Sequence, residues 1–160
     1  MFHEVTPYNA ARIFYESVVD WSTCRTLVRA QPQFMNAPRY DFVMINMSTD
    51  GTQVIFAQVR LFFTFTFGKT VMKLALIHPL DARLTNYNRT HTHDKNLRLT
   101  RLQARPRNMS TIVSVEAIVR GVLLVPVLDS VPEEFLLFDL IDEDMWMRSK
   151  SFEILVDTNT

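Results

Sequence analysis

The sequence predicts a small, mainly β domain, and three observations carry that reading. Positions 55, 57, 59, 61, 63, 65 and 67 are Ile, Ala, Val, Leu, Phe, Phe and Phe, with Gln58, Arg60, Thr64 and Thr66 between them. Successive side chains of a strand point to opposite faces, so this alternation suits a strand with one buried face. Asp50-Gly51 and Gly68-Lys69 flank the run as turn formers, and further apolar stretches lie outside them. Finally, 48% of the 160 residues are hydrophobic and 21% charged, which excludes a disordered segment and fits one domain with a sizeable core. The expected architecture is a partly open small β-barrel with a short N-terminal helix.

Each element follows from local chemistry. Residues 10–19 read as a short helix, with Thr6 as cap and Pro7 in the first turn, although their β-branched and aromatic content equally permits a strand. Residues 23–30 suit a short strand, and Pro32 and Pro38 bracket an extended connection. A meander then occupies about 40–47, 54–67 and 70–78, its long middle strand expected to bend or bulge. Pro79 is expected to end the third strand, because it has no N–H to donate. A long polar loop covers 80–96, followed by a strand over 97–104 and a turn at 105–108. Strands are expected over 111–115 and 121–127, separated by a short turn over 116–120, with Gly121 at positive φ where the turn ends. A core strand over 134–140 precedes a helical turn over 142–147 capped by Asp142. Residues 152–156 read as an edge strand or a tail contact.

Net charge is zero, yet residues 1–107 hold fourteen Lys/Arg against seven Asp/Glu, and residues 108–160 hold three against ten. Such asymmetry suits either an anionic partner for one face or mutual neutralisation across the fold. The single cysteine, Cys24, excludes an internal disulfide and a cysteine-rich zinc site. Glu4, Arg12 and Glu16 interrupt the start, so no secretory leader is expected there. No run of about 18 uncharged apolar residues predicts a spanning helix. A nuclear or cytoplasmic protein is the expectation.

Three clusters could carry chemistry. Asp139, Asp142, Glu143 and Asp144 surround Trp146. Carboxylates beside an aromatic ring suit a cationic side chain, which they hold by ion pairing and cation–π attraction together. Asp142, Asp144 and Trp146 are therefore the candidate site for a protein partner or cationic peptide. Arg83, Arg89, Lys95, Arg98, Arg101, Arg105 and Arg107 form a basic segment, within which Arg98, Arg101, Arg105 and Arg107 suit contact with a DNA or RNA backbone. His91, His93 and Asp94 have the spacing of metal ligands but sit in a polar loop without a third partner in sequence. They would serve a metal-dependent hydrolase at most; no metal or cofactor is expected. No glycine-rich phosphate loop or activated nucleophile is present in the sequence, since Gly51, Gly68 and Gly121 are each isolated.

The order of segments YDFVMIN, IFAQVRLFF, MKLALIHPLDA, LRLTRLQARPR, IVSVEAIVRGVLLVPV and EFLLFDLIDEDM resembles the layout of a bromo-adjacent homology (BAH) domain. Ala57-Gln58-Val59 stands at the place of its "ARI"-like segment, His78-Pro79-Leu80-Asp81 at its proline-aspartate turn, and Val115 to Gly121 before its closing strand. The phrases PRYDFV, Ile118 to Val125 and Ile141 to Arg148 are also similar to an uncharacterised basidiomycete fungal domain associated with mobile elements. The resemblance covers about residues 38–148, leaving 1–37 as an extension packed on the domain and 149–160 as a tail. It implies a non-catalytic, protein-binding module in a chromatin or mobile-element setting. The aromatic cage with which some BAH domains hold methyl-lysine has no residue-by-residue counterpart here.

Overall fold

The structure, a computed structural model, describes residues 4–49, 53–82, 97, 99–129 and 133–157. The chain is mainly β. Among the described residues twelve strands run in order: β1 (Glu4–Tyr8), β2 (Ala10–Glu16), β3 (Thr23–Phe34), β4 (Ala37–Tyr40), β5 (Phe42–Asn46), β6 (Val54–Phe67), β7 (Thr70–Ala82), β8 (Arg101–Ala104), β9 (Thr111–Ser114), β10 (Ile118–Val122), β11 (Leu124–Val127) and β12 (Glu134–Leu137). One helix, α1 (Glu143–Asp157), closes the described chain. Short 3-10 turns sit at Arg107–Met109 and Val115–Ala117.

The long hairpin β6–β7 is the frame. Gly68, at φ 61, supplies the left-handed residue of its two-residue turn, and Phe67 pairs with Thr70 beyond it. Each strand of the hairpin outruns any single neighbour, so each takes two. β5 and then β1 pair along β6, while β8 and β9 pair along β7. The main sheet runs β10-β5-β6-β7-β8-β12-β11, and β2-β3-β4 form a separate sheet. The sheet ends at β10 and β11 are not bonded to each other, so among the described residues the expected barrel does not close.

A register shift between Val59 and Leu61 puts a bulge at Arg60, whose guanidinium lies 4.0 Å over the Tyr40 ring. This bulge divides the apolar alternation that the sequence displays as one stripe. Ala57 and Val59 face one core, with Ile13, Val28, Ala30, Val43, Ile45, Ala75, Ile77 and Ile118. Past the bulge Phe62 keeps that side, so Leu61 and Phe63 turn to the other. A second core, of Met44, Phe56, Leu80, Leu102, Leu124, Leu137 and Met145, lies on the opposite face of the sheet.

Several expectations are corrected. The N-terminal segment forms no helix: residues 10–16 pair with 29–23, placing Ala11, Ile13 and Tyr15 inward, and this pairing overrides local helix propensity. Pro32 and Pro38 lie within β3 and β4, which meet at a two-residue turn whose Met35 and Asn36 both have positive φ. Pro79 does not end β7. It falls where β7 changes its outer partner from β9 to β8. Gly121 does not have positive φ; its backbone instead approaches Thr26, where an added Cβ would stand 3.0 Å from Oγ1. Residues 152–156 belong to α1, not to a strand.

Candidate functional site

Asp142 caps α1 as its position predicts, accepting a hydrogen bond from the Met145 N–H at 3.0 Å. Of the four carboxylates expected around Trp146, Asp142 and Asp144 converge on Arg120 of β10, whereas Asp139 accepts from Ser149 Oγ at 2.7 Å and Glu143 is exposed. Arg120 Nη1 donates to Asp144 Oδ2 at 2.5 Å, and its two terminal nitrogens both reach Asp142. Arg148, one helical turn beyond Asp144, donates from Nε to Asp144 Oδ2 at 2.8 Å and from Nη2 to the Glu16 carbonyl at 2.6 Å. The remaining oxygen, Asp144 Oδ1, accepts from the Val18 N–H at 2.7 Å. The Arg120 guanidinium lies 4.7 Å over the Tyr15 ring.

Arg120 and Asp144 are buried, with side-chain exposures of 7% and 9%. Burial opposes ionisation of Asp144, but hydrogen bonds from Arg148, Val18 and Arg120 outweigh it and hold the carboxyl below its usual range. Burial likewise opposes the Arg120 charge, and its bonds to Asp142 and Asp144 prevail. Thus the cation that Asp142 and Asp144 hold is supplied by the same chain, and the ring beneath it is Tyr15. Trp146 lies beside this cluster, 41% exposed, with Lys150 Nζ 6.0 Å from its ring centre. Arg120 was missed as a site residue in the sequence. Its signal is isolation: no other Lys or Arg occurs between Arg107 and Arg148.

The basic segment is largely neutralised where it is described. Arg101 Nη1 bonds Glu134 Oε2 at 2.9 Å, and Arg105 Nη2 stands 2.6 Å from Asp81 Oδ1. Arg107 is exposed in its 3-10 turn. Arg98, His91, His93 and Asp94 lie outside the described residues. His78 Nε2 is 2.6 Å from the Arg105 carbonyl; a carbonyl only accepts, so this nitrogen carries the proton. Among the described residues no group of three His, Cys, Asp or Glu is placed to hold a metal ion.

The bulge at Arg60 produces a surface that the alternation alone did not show. Beyond it, Leu61, Phe63, Phe65 and Phe67 of β6 share a face with Met72, Leu74 and Leu76 of β7. Register adds Val5 and Pro7 of β1 and Ile112 of β9. No charged residue stands at any of these positions. Val5 and Ile112 are 57% and 55% exposed, and Met72 is also exposed. Neither core cluster contains Leu61, Phe63, Leu74 or Leu76 among the described residues.

No family model matches the chain, and neither a curated protein nor a solved structure matches it. No helix among the described residues is long and apolar enough to cross a membrane.

Proposed function

We propose that this chain is a non-catalytic interaction module that binds a protein partner through the uncharged face of β1, β6, β7 and β9. The carrying observation is that apolar face, with Val5, Met72 and Ile112 open to solvent on three different strands. Contiguous exposed apolar surface marks interaction sites, because water disfavours it and a partner removes it from water. A partner matched to this face is itself apolar, since a charge buried there would meet no counter-ion. Pro7 lies on the β1 edge, where its missing N–H discourages addition of a further strand and leaves the face as the contact surface.

Asp142 and Asp144 act in this reading as positioning residues. They fix α1 against the N-terminal hairpin and leave Trp146 as exposed aromatic surface beside the cluster. A chromatin or mobile-element setting, with nuclear location, is part of the proposal and rests on the BAH-like order of segments alone. The test is quantitative co-purification from native nuclear extract with the wild-type chain and with Met72→Lys/Ile112→Lys. The proposal expects a defined set of proteins to be lost with the double variant. Retention of the same set would overturn the assignment of this face.

A further inference from the structure

The separate sheet β2-β3-β4 offers a second surface with different chemistry. Its inner face delivers Ile13, Val28 and Ala30 to the core. On its outer face the register sets Arg12 opposite Leu27 and Phe14 opposite Arg25. All four are exposed, Phe14 at 64%. Farther along, the guanidinium carbons of Arg29 and Arg39 lie 5.9 and 5.1 Å from the centre of the Phe34 ring. Asp41 is the carboxylate shared by Arg29 and Arg39, and Glu16 stands opposite Thr23 at the other end. Among the described residues no carboxylate is within ion-pairing distance of Arg12 or Arg25. Four arginines therefore share the surface with two carboxylates and two phenylalanines.

The loop that joins β2 to β3, at one end of this sheet, carries a third aromatic, next to Asp20, whose carboxylate accepts from Ser22. Trp21 is 73% exposed and has φ 60, a backbone conformation uncommon for so bulky a residue. The surroundings impose it. Trp21 N donates to Ser17 O at 3.0 Å, Ser17 N donates to Ser22 O at 2.9 Å, and Asp144 holds the Val18 N–H. Such enforced conformations concentrate where a side chain is displayed for use.

We propose that the outer face of this sheet is a platform for single-stranded nucleic acid. Phe14 and Trp21 receive unpaired bases by stacking, which every base supports, and Arg12 and Arg25 pair with phosphates. A duplex hides its base faces within its own stack and meets only the arginines. The aromatic rings favour this ligand over an acidic peptide, which has charge to offer but few flat rings. The Arg101 and Arg105 segment lacks this combination, because both arginines are already paired with carboxylates.

The test is fluorescence anisotropy with a labelled oligothymidylate, the matching duplex and polyglutamate as competitors. The proposal expects preference for the single strand. Phe14→Ala and Trp21→Ala should each weaken it by about tenfold. Arg12→Ala and Arg25→Ala should each make the slope of log affinity against log salt shallower by about 0.7. These side chains are exposed, and thermal unfolding verifies that the variants fold. Absence of binding at low salt, or equal affinity for the duplex, would overturn the proposal. Competition by polyglutamate at equal charge would assign the face to an acidic protein instead. Binding lost in Arg105→Ala or Arg107→Ala but intact in Phe14→Ala would move the site to the basic segment.

Discussion

Asp144 Oδ1 accepts the backbone N–H of Val18 at 2.7 Å, joining the first turn of α1 to a loop 126 residues earlier. The same carboxylate binds Arg120 and Arg148, so one side chain ties α1, β10 and the N-terminal hairpin together. Replacing Arg120 by Met leaves Asp144 buried without its main-sheet partner. Loss of one member of a buried pair typically costs about 3–5 kcal/mol. Denaturant unfolding of Arg120→Met should show a loss in that range, with Asp142→Asn losing less because Asp142 is more exposed. A loss for Arg120→Met within error of zero would show that the cluster contributes nothing net.

The cluster also sets a pH dependence. Asp144 has a folded-state pKa below its ordinary value of 3.8, so the folded protein binds its proton less readily than the unfolded chain does. The stabilisation is therefore complete well above that value and is lost as pH falls through it toward the depressed folded value. The stability difference between wild type and Asp144→Asn should be constant from neutrality to about pH 5 and shrink below about pH 4. Thermal unfolding across that range checks it; a difference that grows on acidification would contradict the assigned sign.

The two described glycines predict different outcomes. Gly121→Ala places a Cβ 3.0 Å from Thr26 Oγ1 and 3.5 Å from Val28 Cγ2, so it should destabilise by about 1 kcal/mol through overpacking. Adding Thr26→Ala should restore part of the loss, measured as a coupling in a double-mutant cycle. Gly68→Ala meets nothing within 4 Å, and its cost of about 1 kcal/mol comes from the left-handed backbone alone. Gly68→Asn should lose less than Gly68→Ala, because Asn tolerates that conformation. Equal losses for Ala and Asn would argue against a backbone origin.

The uncharged face predicts a separation of binding from stability. Met72→Lys and Ile112→Lys replace exposed side chains outside both cores, so each should change unfolding free energy by less than about 0.5 kcal/mol. Both should weaken partner binding. A large stability loss would place these side chains in a core.

Strand β6 was legible in the sequence to its boundaries, since its alternation and its Gly68 turn are local signals. The expected bulge was legible from its length; its consequence was not. Whether Phe63 shares a face with Val59 depends on one extra residue, Arg60, and on which strand pairs beyond it. The helix expected at residues 10–19 failed for a related reason: Ala10-Ala11 favours helix locally, and pairing with Val28 and Arg29 of the next strand decides otherwise. At the Asp142–Trp146 cluster the sequence showed the cap and the carboxylates. It did not show that Arg120 fills them, because β10 and α1 meet only after the intervening β11 and β12 have folded back.

The most direct test of partner binding by the uncharged face is site-specific photocrosslinking in native nuclear extract. The probe is placed at Ile112, with Met35, an exposed residue of the β3–β4 turn, as the control position. A discrete protein adduct is expected at position 112 and none at position 35. No adduct at position 112, or the same adducts at both positions, would contradict partner binding by this face.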